Sequence, residues 1–252
     1  VTSEIRIYSD PETLGAAAAR AVAERIVTRL SHAETFAIAL AGGRTPINTY
    51  RYLATSHRDA IPWTRVHFYW SDERYVPPDD PANNYGVAMA ELLGRVPVPA
   101  ANVHPMSTQE RDADAAAMGY ESILRREFGP DGPTFDLTLL GLGSEGHTAS
   151  LFPGSSALGE TRRWVVPALA PATPALRLTL TLRVLNLSRE VYFIVAGAEK
   201  APALAAAYHR TASPADCPAA GVRPTAGRTV WWVDVAAAAR LRAMPAPDDP
   251  KR

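Results

Sequence analysis

The stretch FDLTLLGLGSEGHTASLFPG, residues 135–154, decides how the rest of the chain is read. Leu137, Leu139, Leu140 and Leu142 form a short, dense apolar run, the pattern of a parallel strand buried on both faces. Gly141 ends that strand. Gly143 and Gly146 then permit a tight turn and a close approach of backbone to ligand, and His147 follows at once. Open α/β sheets bind ligands outside the carboxyl ends of their strands, so this order delivers an imidazole to the binding edge. Residues 141–146 also spell G-x-G-x-x-G, with Glu160 near the spacing (~20 residues) of a ribose-binding acid. A dinucleotide site needs a long helix opening at the third glycine, and Pro153 and Gly154 interrupt any helix there. That reading is disfavoured. The remaining alternative for His147 is a structural histidine in an ordinary turn.

Upstream, Ile5 and Ile7 mark a first strand, and Asp10, Pro11 and Glu12 open an Ala-rich helix that runs to about Leu30. FAIALAGG reads as a buried strand ending at Gly42 and Gly43, after which Thr45 is expected to cap a helix that begins with Pro46. Strand, paired glycines and helix N-terminus together make an anion site, to which Arg44 adds a formal charge. The Gly-Lys-Ser/Thr ending of a nucleoside-triphosphate loop is missing. RVHFYW predicts a third strand that runs into SDERYVPPDDPANNYG, expected to be a surface segment able to fold over a site and carrying Asp72, Glu73 and Arg74. By composition alone that charged triplet is a solvated ion pair.

A short helix near Val87–Leu93, a proline-rich crossing to His104 and a helix over about Asp112–Phe128 lead into the central stretch. Beyond it, WVVPAL and LRLTLTL predict strands, the second half-exposed by its apolar/Thr alternation. VYFIVAG is a further buried strand and places Lys200 at a strand-to-helix junction, as Arg44 is placed; as an isolated residue Lys200 reads as a solvated amine. Residues 211–228 read as a flexible loop, VWWVDVAAAARL as a last strand and helix, and the tail from Met244 as flexible.

At 252 residues with no linker or internal repeat, one α/β domain over residues 1–252 is expected. Twenty-six basic and twenty-six acidic residues cancel, and no basic cluster marks a nucleic-acid face. The single Cys217 excludes an intrachain disulfide framework, no Cys/His spacing suggests zinc, and no apolar run spans a bilayer. No metal, cofactor, nucleic acid or membrane is expected, and the setting predicted is the cytoplasm. The polar strand ends at Gly43, Asp72, Gly143 and Gly197 share one edge of a mainly parallel sheet. Their backbone donors, cations and histidine suit a phosphorylated small molecule whose carbonyl needs acid–base help.

AGGRTP (41–46), SDERYVPPDDPANNYG (71–86), FDLTLLGLGSEGHTASLFPG (135–154), RLTLTLRVLN (177–186) and AGAEKA (196–201), in this order, resemble the 6-phosphogluconolactonases over nearly the whole chain. The resemblance implies a Rossmann-like α/β/α sandwich and cofactor-free hydrolysis of 6-phosphoglucono-1,5-lactone to 6-phosphogluconate, in the pentose phosphate pathway, by a monomer. It places the essential histidine on His147 and the phosphate-binding cations on Arg74 and Lys200, with Arg177 at a further motif position. Gly42, Gly43, Arg44, Thr45, Asp72 and Gly143 complete the expected substrate site, and backbone N–H groups near Gly42 and Gly43, or near Gly143, are expected to stabilise an oxyanion. The family commonly has Asp where this chain has Glu145, and Ser-Asn where it has Asn83-Asn84. Whether the longer Glu145 carboxylate touches His147 stays open in the sequence. Two other readings are a related glucosamine-6-phosphate deaminase or isomerase using Asp72 as base, and a non-catalytic sugar-phosphate sensor. Deaminases resembling this chain carry Asn-Glu-Pro after Gly-His, where this chain has Leu151, Phe152 and Pro153.

Overall fold

A computed structural model describes residues 2–243; the tail from Met244, expected to be flexible, lies outside the described residues. β1 (Thr2–Tyr8) leads into α1 (Pro11–Leu30) through Asp10, whose carboxylate accepts the N–H groups of Glu12 and Thr13 at 2.9 and 2.8 Å. Leu14, Ala18, Val22 and Ile26 recur every four residues and bury one stripe of that helix. The chain continues through β2 (Phe36–Leu40), α2 (Pro46–Thr55), β3 (Val66–Trp70), β4 (Asp72–Arg74), α3 (Asn84–Glu91) and α4 (Ala113–Phe128). It then forms β5 (Leu137–Leu140), β6 (Val165–Leu169), β7 (Leu176–Leu180), α5 (Leu182–Leu185), β8 (Glu190–Val195), α6 (Ala201–His209) and β9 (Arg228–Asp234).

Six strands make one parallel sheet in the order β1-β9-β8-β5-β2-β3. β5 and β8 are buried at every position, which explains why their sequences are apolar runs and not alternations. Connections from β1 to β2 and from β2 to β3 run toward the β3 edge, and those from β3 to β5, β5 to β8 and β8 to β9 run back. Right-handed crossovers then place α1 and α2 on one face and α4 and α6 on the other, giving the expected α/β/α layers. Neighbouring β2 and β5 are left in opposite directions. The crevice outside their carboxyl ends is therefore the topological switch point, where such sheets bind ligands.

A second, antiparallel sheet has the order β4-β7-β6, and the structure corrects three expectations. Asp72–Arg74 is not the start of a surface loop but an edge strand paired with Arg177–Thr179, and the ladder is extended by Leu180 N to Ser71 O and Tyr75 N to Leu176 O, both 2.9 Å. Nor is β7 half-exposed. Thr179 and Thr181 are fully buried, because Thr179 Oγ1 accepts Ser150 N and Thr181 Oγ1 donates to Arg163 O at 3.0 Å. Hydroxyls satisfied in this way let Thr serve as a core residue. Thirdly, residues 211–228 are a surface loop only in part: residues 211–216 are largely exposed, but Cys217–Val222 are buried around a 3₁₀ turn, and Ala219 N donates to Gly146 O at 3.0 Å. The segment buttresses the glycine turn before His147. After β9 the expected helix is a 3₁₀ segment, Ala237–Ala243. Among the described residues, no helix is long and apolar enough to cross a membrane.

Candidate active site

Loops from the carboxyl ends of β2, β3, β5 and β8 surround one polar cleft of about 250 Å³. Gly42, Gly43, Arg44, Thr45, Asp72, Arg74, Gly143, His147 and Lys200 line it, so the sheet assembles predicted residues spread over more than half of the sequence. Glu145 and Arg177 stand outside that lining. A larger apolar groove of about 890 Å³ adjoins it, walled by Phe152, Pro167, Leu169 and Leu176, with Glu145 as its one titratable lining residue. The smaller cleft holds the cations and the imidazole and is the chemically equipped one.

His147 is partly exposed, and its Nδ1 lies 2.6 Å from Glu145 Oε1, so the longer carboxylate does reach the ring. A carboxylate there selects the Nδ1–H tautomer and leaves Nε2 with a free lone pair. Burial pushes the Glu145 carboxyl up, but its own backbone N–H, the His147 ring and the Ser144 hydroxyl together hold it below the usual carboxylate range. Phe152 packs on the imidazole, ring centres 4.5 Å apart.

The loop is pinned from both sides. Gly143 N donates to His147 O at 2.8 Å, Thr148 Oγ1 to Gly141 O at 2.8 Å, and Ser150 Oγ to Asp72 Oδ2 at 2.7 Å. Between the last two, Ala149 is held in the left-handed region at φ 48°, a strain of roughly 1–2 kcal/mol that these hydrogen bonds sustain. Gly143 has no Cβ for a steric reason: one would lie 1.9 Å from His147 Nδ1. Because the Gly143 N–H already donates to His147 O, it is not a free oxyanion donor, which corrects that half of the expectation.

At the β2 end, Thr45 is already helical (φ −63°, ψ −40°) and its hydroxyl makes no capping hydrogen bond, contrary to expectation. Among the described residues, the N–H groups of Gly42, Gly43, Arg44 and Thr45 donate to no protein acceptor. An uncapped helix start at the cleft leaves these donors for an anion. Asp72 is not a free base. Its carboxylate accepts Ser150, and its backbone carbonyl accepts Asn84 Nδ2 at 2.9 Å.

Arg74 and Arg177 face each other across the β4–β7 pairing. Arg74 Nη1 donates to Ala82 O at 3.1 Å, but both Nε atoms are buried without a partner. Neither guanidinium has a carboxylate ion pair among the described residues. Burial first, then the neighbouring Arg74, pulls Arg177 below the usual guanidinium range. Two unpaired cations side by side are unfavourable until an anion joins them. The solvated ion pair that composition alone would suggest at 72–74 is absent.

Ser150, Asn84 and Phe152 touch the predicted site residues Asp72 and His147, contacts that the sequence reading did not assign. Asn84 sits in an Asn-Asn pair after a Pro-rich run, an identifiable helix start; Ser150 and Phe152 are placed by tertiary packing and carry no local signal. Glu160, the candidate ribose acid, instead accepts the backbone N–H groups of Arg162 and Arg163 at 2.6 and 3.0 Å, and no long helix opens at Gly146.

A sequence profile described as glucosamine-6-phosphate isomerases/6-phosphogluconolactonase matches residues 9–231. A 6-phosphogluconolactonase of Mycobacterium leprae is 40% identical over 248 residues, covering 96% of this chain and 99% of its own. Another from Synechocystis sp. is 40% identical over 224 residues, 88% of this chain and 91% of its own. The solved 6-phosphogluconolactonase of Trypanosoma brucei is 32% identical with a TM-score of 0.82, covering 95% of this chain and 99% of that one. A monomeric glucosamine-6-phosphate deaminase, 24% identical and covering 95% of this chain and 100% of its own, shares the fold at a TM-score of 0.79. With the matching profile spanning most of the sequence, the chain belongs to the glucosamine-6-phosphate isomerase/6-phosphogluconolactonase family.

Proposed function

We propose that this protein is a 6-phosphogluconolactonase, hydrolysing 6-phospho-D-glucono-1,5-lactone to 6-phospho-D-gluconate in the pentose phosphate pathway. The observation that carries the reading is that one cleft joins a carboxylate-oriented imidazole to Lys200 and to an Arg74 guanidinium that has no carboxylate partner and is backed by Arg177. Arg74, Arg177 and Lys200 hold the phosphate, with Arg44 and the open N–H groups of the α2 start nearby. Binding energy spent on the phosphate, remote from the reacting carbonyl, brings the lactone into reach of His147.

His147 Nε2 takes a proton from water as the water oxygen attacks the lactone carbonyl. Glu145, although exposed, holds the ring by its Nδ1 contact and stabilises the imidazolium that forms, the role an acid plays behind a catalytic histidine. The carbonyl oxygen becomes an oxyanion, which the Gly42 and Gly43 N–H groups stabilise. The tetrahedral intermediate then collapses, the C1–ring oxygen bond breaks, and the imidazolium returns its proton to that oxygen. This sequence needs no cofactor or metal. We also read the protein as a monomer that binds neither nucleic acid, from its balanced charge, nor membrane, and as cytoplasmic, from its single cysteine.

The deaminase alternative needs a second acid close to the histidine. Phe152, which packs on His147, occupies the place where deaminases resembling this chain carry it. A sensor would keep the cations but would have no use for a Glu145–His147 pair. The discriminating experiment is to assay the EDTA-treated purified protein on 6-phosphogluconolactone and on glucosamine 6-phosphate. Lactone hydrolysis well above the spontaneous rate, without ammonia release, is expected. Ammonia release without lactonase activity would transfer the assignment to the deaminases.

A further inference from the structure

Glu73 sits between two residues of the cleft, Asp72 and Arg74, yet is wholly buried and lines no part of it. Its carboxylate has no ion-pair partner among the described residues. Instead Oε1 accepts the backbone N–H groups of Arg74 and Asn84, each at 2.7 Å, and Oε2 accepts that of Tyr85 at 2.8 Å. Asn83 already supplies the ordinary cap of α3, its Oδ1 accepting Gly86 N at 2.9 Å. When ionised, Glu73 therefore adds a negative charge to a helix start that a neutral cap already serves, favourably oriented to the helix dipole.

The three donors belong to two segments of the site, and a third is joined through Asn84. Asn84 Nδ2 donates to Asp72 O, and its side chain packs so closely on the β2 turn that a Cβ at Gly42 would lie 2.0 Å from Asn84 Oδ1. Arg74 is tied in addition to Ala82 O, in the segment leading to α3. We infer that Glu73 is a positioning residue for phosphate capture: its carboxylate fixes Arg74 against the start of α3 in one relative arrangement, while the Asn84 side chain that touches the Gly42 turn is held separately by Asp72 O. The inference rests on the reading of Arg74 as a phosphate-binding cation.

A carboxylate is the group this role requires. Three N–H donors converge on two acceptor oxygens, and an amide in their place would set its NH₂ against at least one donor. The groups that face Glu73 are Asp72 and Arg74 on its own strand, Arg177 on β7, Tyr85 on α3 and Tyr120 on α4. Burial pushes the Glu73 carboxyl up to about 7 against its three N–H donors, and Asp72 adds to the rise. Protonation converts an acceptor into a donor and loosens the same arrangement, so phosphate capture weakens as pH falls through neutrality.

The test compares wild type, Glu73→Gln and Glu73→Asp for kcat and KM on 6-phosphogluconolactone and on unphosphorylated gluconolactone, with melting temperatures, between pH 6 and 8. Glu73→Gln is expected to raise KM for the phosphorylated lactone about 10- to 100-fold, the scale of an ångström-sized misplacement, with kcat and the efficiency on the unphosphorylated lactone within about 3-fold. The wild-type KM should rise more steeply below pH 7 than the variant's. The substrate phosphate also titrates near pH 6, but equally in both proteins. Glu73→Asp, which keeps the charge and withdraws it by one methylene, decides by the same ratio where the Gln variant does not fold. Parallel losses on both lactones, or an unchanged KM with unchanged pH profile, would reduce Glu73 to a structural residue. Failure of the functional reading is separately visible as no lactone hydrolysis by wild type; the Kd of inorganic phosphate, expected to weaken in the variant, then still tests Glu73.

Discussion

Gly143→Ala should abolish most of the activity without unfolding the protein. The added Cβ would lie 1.9 Å from His147 Nδ1, 2.4 Å from its Cε1 and 2.8 Å from Glu145 Oε2. Carbon and nitrogen atoms settle near 3.5 Å or beyond, so the ring must retreat by roughly 1.5 Å or rotate away. Either movement breaks the Glu145 contact and takes Nε2 out of reach of the attacking water. An ångström of misplacement costs about 10²-fold, and complete loss of general base catalysis about 10²–10⁴-fold, so kcat should fall within that range. The fold should survive. The Gly143 N–H bond to His147 O uses only backbone atoms, and the overpacking is confined to one flexible contact, worth about 1–3 kcal/mol. Lactone hydrolysis can be followed by proton release at constant pH, corrected for the spontaneous reaction, beside a thermal melt. Gly143→Ala with near-normal kcat and a normal melt would refute the placement of His147 against Gly143.

Three further outcomes are expected. Arg74→Ala and Lys200→Ala should each weaken capture of the phosphorylated lactone by about 2–5 kcal/mol where the contact is desolvated, read from kcat/KM, while gluconolactone should be a much poorer wild-type substrate; equal efficiency on both lactones would give the cations another purpose. Glu145→Gln should lower kcat less than replacement of His147 does, because the acid orients the ring and does not transfer the proton; an equal loss would make Glu145 a proton-transfer group. Glu73 has a folded-state pKa raised from 4.5 to about 7, so between these values the folded chain holds a proton that the unfolded chain has lost. Its contribution to stability is therefore greatest below 4.5 and is lost as pH rises through 7, on the order of 3 kcal/mol in all. Urea unfolding of wild type relative to Glu73→Gln should show that decline, and a pH-independent difference would contradict it.

Much of this molecule is legible in its sequence because its strands are short apolar runs closed by glycine. FAIALAGG, FDLTLLGLG and VYFIVAG each run two or three residues past the ends of β2, β5 and β8, and each delivers its polar residues to the same edge. What stayed hidden depends on partners distant in sequence. Asp72–Arg74 is three polar residues long and becomes a strand only because β7, about a hundred residues later, pairs with it. The same pairing sets Arg74 against Arg177 and explains why neither finds a carboxylate. Thr179 looked solvent-facing by alternation, and is buried because its hydroxyl serves the loop carrying Ser150. Side-chain reach and hydrogen-bond occupancy were equally closed to sequence: Glu145 does touch His147, Thr45 leaves its helix uncapped, and Gly143 spends its N–H on the histidine carbonyl.

The central claim, that His147 is the base of a lactonase, is tested most directly by comparing wild type with His147→Asn on 6-phosphogluconolactone. Both proteins should melt alike and bind 6-phosphogluconate with similar affinity, since Arg74 and Lys200 are left unchanged. The Asn variant should hydrolyse the lactone about 10²–10⁴-fold more slowly, the usual contribution of general acid–base catalysis. A folded His147→Asn protein that turns over the lactone at close to the wild-type rate would contradict the account.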